Sequence, residues 1–576
     1  MMTSKDIKIQ NSVQLLSLII AIIGINIIAQ FYFGRFDLTS EKRYSISDAT
    51  MEVVENIDDI VYVKVYLDGD LPANFKKLRN STRELLDDLR AYNGDIMYEF
   101  INPSENDDKS KRQKLYRELS KAGLSYYTIP VENKDGFAQK TVFPSALVSY
   151  KDKSIALNLL NSNRKVPLDA EIDNSIQTLE LKMVNTISKL TKRKIPIVAF
   201  TVDHGELNNL HTADIAYELS KMYEVGQIEI GNNLTSLMRR VKVDSVTSKM
   251  IPSFEMLVIA QPKKKFNMKD LFLLDQYVMH GGKIVWALDA VEADMDSLQY
   301  STSTIGMPVD LGLAEILFKY GVRLNSNLVL NRNALAIGTA EGELRTWDFF
   351  PFALPVKGHL ITNNLSAVKT HFVSSMDTVG SSVIKKTVLL QTDRNSRLMP
   401  APALIDLVDI IYRGPNPSLY YQEQQPIAIL LEGEFTSVFE NRMIDPRILE
   451  QKKMLDIVYK SPKTSQLVIS DGDIIKNQSM SSAQGSSPYP LGYDRYSKKM
   501  FDNKKFLLNS INYMLGDNAL IKLRNKQYKI RLLNKDKVAK EKLKWQLINT
   551  ILPIGLIVLL GIIVGIIKKR KYAIIK

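Results

Sequence analysis

The stretch from Ile195 to Val202 has the sequence IPIVAFTV and is followed at once by Asp203-His204-Gly205-Glu206. It is a short apolar run, rich in β-branched residues and bounded by turn-forming residues, which is the pattern of a buried strand. Helical and strand patterns alternate after it: a helix at about 210–222, strands at 225–230 and 256–260, a helix at 268–279, and a strand at 283–288. This alternation predicts a parallel sheet flanked by helices.

The predicted α/β domain continues to residue 516. Two more helices are expected at 311–320 and 504–515, and two more strands at 427–431 and 466–470. Residues 331–417 show no regular period, so we interpret them as an insertion of loops and short strands. We therefore place this domain at residues 195–516, with the insertion at about 331–417.

A different order of elements precedes this domain. After a short helix capped by Ser47, the pattern is β-α-β-α-β-β-β, with strands at 60–67, 96–101, 127–131, 141–150 and 154–160 and helices at 75–92 and 109–122. A helix at 171–190 follows. The order predicts a thioredoxin-like domain over residues 34–194. Because the chain has no cysteine, such a domain cannot perform thiol chemistry, and we expect it to bind other molecules or to act as a scaffold.

The composition excludes several classes of function. With 576 residues, 24% charged and 45% hydrophobic, the chain is long enough for about three folded units. The absence of cysteine excludes disulfides, thiolate metal sites and a cysteine nucleophile, and five histidines are few for a multi-histidine metal site. The sequence has no Gly-Lys-Ser/Thr phosphate loop, no dinucleotide fingerprint and no nucleophile elbow. We therefore predict no cofactor, no metal and no catalytic residue.

Two stretches have the length and composition of membrane spans. Residues 13–33 and 547–567 contain no charged residue, and 21 residues of helix extend over roughly 31 Å, the thickness of a bilayer core. A buried core helix is the alternative for either stretch. Two spans would place residues 34–546 on one side of the membrane and the short ends, 1–12 and 568–576, on the other.

The net charge of +13 is concentrated in the last sixty residues. Residues 517–576 hold fifteen Lys and Arg against three Asp and Glu, which gives +12. A basic segment beside an apolar span favours anionic lipid over nucleic acid as the partner, and we assign residues 517–546 to a basic amphipathic segment at the membrane surface. The charges alone leave the orientation open. The predicted membrane-surface residues are Lys535, Lys540, Lys544, Trp545, Lys568, Lys569, Arg570 and Lys571.

Three loops that follow predicted strands carry groups able to bind a ligand. Asp203, His204 and Glu206 could act as acid and base or hold a cation, but a turn in which Asp203 or Glu206 caps the next helix is favoured. Asp471 and Asp473 could ligate a divalent ion, but an Asp-Gly pair is also typical of a turn. The loop from Glu432 to Ser437 has the same two interpretations. The five residues of the first two loops are the ligand-binding candidates.

The whole chain resembles the GldG family, the auxiliary, substrate-binding-type components of gliding-motility ABC transporters of Bacteroidota. The matching segments are Phe36 to Ser47, Val65 to Pro72, Asp203 to Glu206, Leu431 to Ser437 and the region around Ser470 to Asp473. The resemblance implies a partner permease and a partner ATP-binding subunit in the inner membrane, and a large loop in the periplasm. It also implies a class I glutamine amidotransferase-like, flavodoxin-like fold after residue 195. The nucleophile of that fold family is a cysteine, so amidotransferase chemistry is not expected here.

The expected protein is therefore α/β, with two transmembrane helices that flank a soluble region of thioredoxin-like and amidotransferase-like domains. We predict a non-catalytic auxiliary subunit of an ABC transporter involved in gliding motility, with its soluble region outside the inner membrane. The alternatives are a membrane-tethered scaffold and a hydrolase-like, ligand-binding protein that uses the loops at His204 and Asp471.

Overall fold

The computed structural model describes most of the chain. The described residues are 13, 15–25, 46–133, 136–160, 167–192, 194–231, 236–242, 248–299, 301–338, 342–380, 382–407, 416–442, 456–482, 485–524 and 535–573. Contacts divide the chain into two compact units, residues 45–526 and residues 1–44 with 527–576. Each unit is described by itself below.

The protein is mixed α/β. The helices are α1 Leu15–Ile25, α2 Asp48–Glu55, α3 Ala73–Tyr92, α4 Lys109–Lys121, α5 Leu168–Gln177, α6 Leu179–Thr191, α7 Asn209–Ser220, α8 Met268–Met279, α9 Ala314–Tyr320, α10 Asn503–Met514, α11 Asn518–Arg524 and α12 Lys535–Ala573. The strands are β1 Val61–Val65, β2 Ile96–Phe100, β3 Tyr127–Asn133, β4 Gly136–Val142, β5 Ser145–Tyr150, β6 Lys153–Asn158, β7 Ile197–Thr201, β8 Glu224–Ile228, β9 Met238–Lys242, β10 Ser248–Pro252, β11 Met256–Ala260, β12 Lys283–Ala287, β13 Val291–Glu292, β14 Ser303–Pro308, β15 Val322–Leu324, β16 Asn327–Asn331, β17 Ala334–Gly338, β18 Leu344–Pro355, β19 Val368–Lys369, β20 Met376–Thr378, β21 Lys385–Gln391, β22 Ser396–Pro400, β23 Ala403–Asp406, β24 Pro426–Thr436, β25 Lys460–Ile469, β26 Ser479–Ser482, β27 Gly485–Pro488, β28 Tyr493–Asp494 and β29 Lys499–Met500.

The N-terminal part of the larger unit contains a four-stranded sheet of order β2-β1-β5-β6. β1 is parallel to β2, with α3 between them in the chain, and antiparallel to β5, which pairs with β6. The alternate residues Val61, Val63 and Val65 of β1 are fully buried, as expected for a strand with one face on a core. The predicted order of strands and helices is present, whereas the thioredoxin-like assignment stays a prediction.

Two predicted elements of this part are each divided in the structure. The expected strand 141–150 is interrupted at Pro144, which has no backbone N–H to donate, so β4 and β5 are separate strands. The expected helix 171–190 is interrupted at Thr178, which separates α5 from α6. The predicted cap of α2 is confirmed, because the Ser47 side chain accepts a hydrogen bond from the backbone N–H three residues later.

Five parallel strands form one side of a ten-stranded sheet. Their spatial order is β8-β7-β11-β12-β25, so strands numbered along the chain lie in the order 2-1-3-4-5. This is a doubly wound order, in which the direction of winding reverses between the first and third strands, here β7 and β11. The parallel sheet predicted from the alternation after residue 195 is therefore present, and the amidotransferase-like assignment stays a prediction.

Strand β11 shows why this sheet is covered on both sides. All of its residues are at most 2% exposed. Met256, Val258 and Ala260 belong to the core that includes α7 and α10, while Leu257 and Ile259 belong to the core that includes α8 and α9. Because successive side chains of a strand point to opposite faces, an entirely apolar strand needs a helical layer on each face.

The sheet continues past β25 with antiparallel strands β24, β21, β18 and β17, and β19 pairs with β18. Four of these strands come from residues 331–417, which we interpreted as an insertion of loops and short strands; the strands are present, and they extend the main sheet. The sequence did not indicate this because the pairings that join the region to the main sheet, β18 with β21 and β21 with β24, link segments that are far apart in the chain. Lys386, for example, lies opposite Leu431.

The predicted basic segment 517–546 also differs from expectation at its beginning. Helix α11 packs against α2 and α6 within the larger unit, and its Leu520 and Ile521 are 3% and 0% exposed. Apolar side chains that are buried in a protein core are not available to a membrane surface. Residues 525–534 of the predicted segment lie outside the described residues.

The smaller unit contains α1 and α12. Within α12, the 30 residues Glu541–Arg570 have no buried side chain and contain an 18-residue stretch with a mean hydropathy of 2.9, so this part of the helix is long and apolar enough to cross a membrane. The predicted span 547–567 lies within this helix, which is continuous with its basic flanks. α1 is a shorter apolar helix, and the end of the predicted span 13–33 lies outside the described residues.

We expect Gly282→Ala to destabilise the larger unit by roughly 1–3 kcal/mol, because a methyl group at this position overlaps the buried ring of Tyr277. The matched control is Gly226→Ala, where nothing lies within 4 Å of the added carbon, and its change should stay within about 0.5 kcal/mol. The measurement is urea unfolding of both purified variants. Equal stability of the two variants would contradict the close packing of α8 on β12.

Candidate functional site

The parallel strands bring several predicted residues to one edge of the sheet. β7, β11, β12 and β25 all run in the same direction, so the loops after them start at the same, carboxyl edge. These loops carry Asp203 to Glu206, Gln261 to Lys265, Asp289 and Asp471 to Asp473. In doubly wound sheets, ligands bind at this edge, where the winding reverses.

His204 is the buried centre of the first loop and is 6% exposed. Its Nδ1 lies 3.0 Å from an oxygen of Asp203, and its Nε2 lies 3.1 Å from an oxygen of Asp270, at the start of α8. The imidazole stacks on Phe266 with ring centres 3.9 Å apart and 10° between the planes. The ring is therefore held in position and in its plane by three neighbours.

The two carboxylates favour the charged form of this histidine. Burial alone lowers the pKa of His204, but Asp270 and Asp203 outweigh burial and raise the pKa above its ordinary value. Each ring nitrogen faces a carboxylate, so neither is available to activate a hydroxyl nucleophile.

The carboxylates themselves are held by backbone N–H groups. Asp203 Oδ2 accepts hydrogen bonds from Ile230 and Gly231, both at 2.9 Å, and Glu206 Oε2 accepts one from His204 at 2.7 Å. The favoured interpretation, that Asp203 or Glu206 caps the next helix, is wrong. Asn208 caps α7 instead.

Lys263 connects the two candidate loops. Its backbone N–H donates to the carbonyl oxygen of His204 at 2.8 Å, and its Nζ lies 3.3 Å from a carboxylate oxygen of Asp289. Asp289 in turn accepts a hydrogen bond from the N–H of Gly472 at 2.7 Å. The His204 and Asp471 loops are thus neighbours across the ends of β11 and β12.

The Asp471 loop is a turn, as predicted. Asp471 Oδ1 accepts a hydrogen bond from the N–H of Asp473 at 2.7 Å and caps a short 3₁₀ helix. Its Oδ2 accepts a second hydrogen bond, at 2.9 Å, from the N–H of His371. Asp471 is fully buried, which its position in a turn did not indicate.

The charges of this second cluster compensate one another. Burial, and the negative charges of Asp473 and Asp289, raise the pKa of Asp471 well above its ordinary value. Burial opposes ionisation of Asp473, but Lys476 and His371 outweigh it and lower the pKa of Asp473. The carboxylate of Asp473 is paired with Lys476, whose Nζ lies 3.2 Å from Asp473 Oδ1.

The third predicted loop does not join this edge. Glu432 to Thr436 continue β24, which is antiparallel to β25, so the chain after them is at the opposite edge. Ser437 donates a hydrogen bond to the buried Asp275 of α8 at 2.6 Å. Direction of the strand, which the sequence alone did not determine, separates this loop from the other two.

Four residues of the edge were missed by the sequence analysis: Asp270, Asp289, His371 and Lys263. Asp270 had a local signal, because Asn267 and Asp270 form a capping box at the start of α8. His371 lies in the region interpreted as an insertion, and its approach to Asp473, 4.0 Å between side chains, depends on strand pairing.

The predicted membrane-surface residues lie on α12. Lys544, Lys568, Lys569 and Arg570 are exposed, and Trp545 is exposed with its indole N–H donating to Glu541 at 3.0 Å. The side chains of Lys535, Lys540 and Lys571 lie outside the described residues. An apolar helix with a basic end is compatible with association with a membrane.

Comparison with protein families gives two matches. A family described as an ABC-type uncharacterized transport system matches residues 196–510, which is 315 of the 576 residues. A domain of unknown function matches residues 40–149. The first match begins one residue before β7 and covers every loop of the carboxyl edge.

Individual relatives are distant. An uncharacterized protein of Borreliella burgdorferi is 18% identical over 418 residues, which cover 71% of this chain and 74% of the relative. Among solved structures, the mmIFT52 N-terminal domain is similar to 55% of this chain, over 97% of its own length, with 12% identity and a TM-score of 0.29. An exo-β-1,4-mannosidase from Opitutaceae bacterium strain TAV5 is similar to 53% of this chain, over 35% of its own length, with 9% identity and a TM-score of 0.18.

The free energy of unfolding should depend on pH because of His371. Burial lowers the pKa of His371 to about 4, even with Asp473 nearby, and Lys369 and Lys476 act in the same direction as burial. The unfolded chain takes up this proton near pH 6.5, so the neutral histidine stabilises the fold above that pH and loses this contribution as the pH falls toward 4. At pH 5 the loss is about 2 kcal/mol.

When the pH falls from 7.5 to 5, we therefore expect the free energy of unfolding to decrease by about 2 kcal/mol less in the His371→Gln variant than in the unmodified chain. The measurement is chemical unfolding followed by tryptophan fluorescence at both pH values. The control is the interval from pH 7.5 to 9, in which the difference between the two chains should stay constant. Equal losses at pH 5 would contradict a neutral His371, whose side chain is 19% exposed.

Proposed function

Because the chain belongs to the ABC-type uncharacterized transport system family, we propose that it is a non-catalytic, membrane-anchored auxiliary subunit of an ABC transporter. The observation that carries this proposal is the family match over residues 196–510, more than half of the chain. The sequence has no phosphate-binding loop, so the energy of ATP hydrolysis would come from a partner ATP-binding subunit. A partner permease would form the path through the membrane.

The apolar helix α12 supports the membrane anchor. The 30 residues Glu541–Arg570 carry charges only near their two ends, their apolar middle part has the length of roughly 20 residues that crosses a bilayer, and their side chains are not buried in this unit. The cluster from Lys568 to Lys571 at its end favours anionic lipid head groups. We propose a second span at residues 13–33, with the soluble region in the periplasm and both chain ends in the cytoplasm.

We also propose that the protein is not an enzyme, and the environment of His204 supports this proposal. A histidine that serves as general base needs a ring nitrogen directed at the reacting proton. Here both nitrogens face carboxylates, of Asp203 and Asp270. A role in gliding motility rests on the resemblance of the segments around Phe36, Asp203 and Asp471 to the gliding-motility family.

A ligand-binding protein is the second candidate function. The observation that favours it is that the loops of His204 and Asp471 meet at one edge of the sheet and are joined through Lys263. A substrate-binding-type subunit combines both functions, because its soluble region binds a ligand and its helices contact the permease. The thioredoxin-like and amidotransferase-like folds fit this arrangement as binding domains.

Co-purification tests the proposed complex. We expect the tagged full-length protein, gently solubilised from its native membrane, to recover an ABC permease and an ABC ATP-binding subunit in near-stoichiometric amounts by mass spectrometry. A His204→Ala variant should recover the same partners, because the complex forms through the membrane helices. Recovery of neither transporter subunit would contradict the proposal. Loss of surface gliding on deletion of the gene, restored by the intact gene, tests the motility role.

The absence of cysteine allows a direct test of topology. We expect Tyr421→Cys, at a side chain that is 76% exposed in the larger unit, to react with a membrane-impermeant maleimide in intact spheroplasts. The matched control is Lys569→Cys, which should react after the membrane is opened. The reverse pattern would place the soluble region in the cytoplasm and overturn the proposed orientation.

A further inference from the structure

The residues around His204 have the arrangement of a metal site. One donor atom each from Asp203, His204 and Glu206 lie within 4.8 Å of one another. We propose that these three residues bind one divalent transition-metal ion, for which Zn²⁺ is the probe. The donor set would be one imidazole nitrogen, Nδ1 of His204, and two carboxylate oxygens.

Each carboxylate is oriented for this role by the backbone. Two N–H groups, of Ile230 and Gly231, hold Asp203 Oδ2, and the Oδ1 atom lies beside Nδ1 of His204 at 3.0 Å. The N–H of His204 holds Glu206 Oε2, while Glu206 Oε1 is buried and has no hydrogen-bond partner among the described residues. One oxygen of each carboxylate is thus bound by the backbone, and the other is available to an ion.

The sharp turn between the two ligands depends on Gly205. Its φ is +75°, a left-handed conformation that glycine adopts without strain. This conformation brings the carboxylate of Glu206 back over the backbone of His204. The residues Asp-His-Gly-Glu therefore place three donors in four positions of the chain.

Asp270 supplies the outer shell. A histidine that binds a metal usually donates its other ring N–H to a carboxylate, which fixes the tautomer and the plane of the ring. Asp270 Oδ2 lies 3.1 Å from Nε2 of His204 and also accepts from the N–H of Asn267 at 3.0 Å. With the proton on Nε2, the lone pair of Nδ1 is free to bind an ion on the side of Asp203 Oδ1.

The charge of the cluster requires a cation. Asp203, Glu206 and Asp270 carry three carboxylates, and in the described part of the chain no Lys or Arg nitrogen is paired with any of them. Asp270 is 1% exposed, and its Oδ1 has no partner among the described residues. A protonated His204 compensates one of the three negative charges. A divalent ion compensates two and supplies a partner for Glu206 Oε1.

The chemistry of the donors indicates the class of ion. Imidazole suits Zn²⁺ and its neighbours in the first transition row, whereas Mg²⁺ and Ca²⁺ prefer sites made of oxygen alone. Three protein ligands leave a coordination position for water or for an anionic group of a ligand. Asp203 is 19% exposed at its side chain, so an ion can enter from solvent.

The test is zinc binding to the full-length protein, purified in detergent with a tag that lacks histidine and treated with a chelator. Since the chain has no cysteine and five histidines, competing zinc sites are few. Equilibrium dialysis against Zn²⁺ with elemental analysis should give one ion per chain. X-ray absorption should show one imidazole among otherwise oxygen ligands at about 2.0–2.2 Å. Excess Mg²⁺ or Ca²⁺ should not displace the ion.

Variants locate the site. Glu206→Gln keeps an oxygen for the N–H of His204 but removes the charge, and His204→Gln removes the imidazole; both should abolish stoichiometric binding. Asp270→Asn should weaken it by roughly 10- to 100-fold, as expected for an outer-shell residue. The matched control, His371→Gln, changes a histidine of the same sheet edge and should bind zinc like the unmodified chain.

Two results would overturn the proposal. One is a folded, chelator-treated protein that binds no zinc in stoichiometric amount, which would leave His204 as a charged bridge between Asp203 and Asp270. The other is binding that persists in both Glu206→Gln and His204→Gln, or that is lost in His371→Gln. Circular dichroism of each variant shows whether it is folded. If the His204→Gln variant is unfolded, zinc binding by the Glu206→Gln variant decides the outcome.

Discussion

The parallel hydrogen bonding of β7, β11, β12 and β25 is the constraint on which the rest of the larger unit depends. β7, β11, β12 and the last three residues of β25 are buried on both faces, and their inner positions are occupied by apolar side chains. Polar and charged groups can therefore appear where the strands end, and the common direction of the strands collects those ends at one edge. Aspartates and a histidine distant in the chain become neighbours for this reason.

The two clusters at this edge, around Asp471 and around His204, differ in how their buried charges are compensated. In the Asp471 cluster, burial and the neighbouring carboxylates raise the pKa of Asp471, while Lys476 pairs with Asp473 and Lys263 pairs with Asp289. Around His204, Asp203 and Asp270 contact the imidazole and Glu206 contacts its backbone N–H, and no Lys or Arg of the described residues forms an ion pair with these three carboxylates. The carboxylates of the Asp471 cluster are paired within the protein, and that loop is a capping turn. The carboxylates around His204 have no such cation, and for this reason we treat that loop as a candidate binding site.

The N-terminal and central parts of the larger unit share buried surface. Ala49 of α2 and Val184 of α6 belong to the same apolar core as strands β7 and β11, and Leu520 of α11 packs there too. The residues that match a domain of unknown function and those that match the transport family are therefore joined by a continuous core. The loops of His204 and Asp471 therefore belong to the same compact unit as the N-terminal sheet.

The sequence by itself determined most helices and buried strands, since their periods arise from local burial: 256–260 and 268–279 coincide with β11 and α8. It also placed His204 and Asp471 at strand ends. It did not determine that residues 331–417 complete the main sheet, that Glu432 continues a reversed strand, or that Asp270 holds the ring of His204. Strand pairing and side-chain contacts between distant segments depend on the free energy of packing the whole chain. A short stretch of sequence carries no information about that free energy. Only the tertiary structure therefore decided which candidate residues form a site.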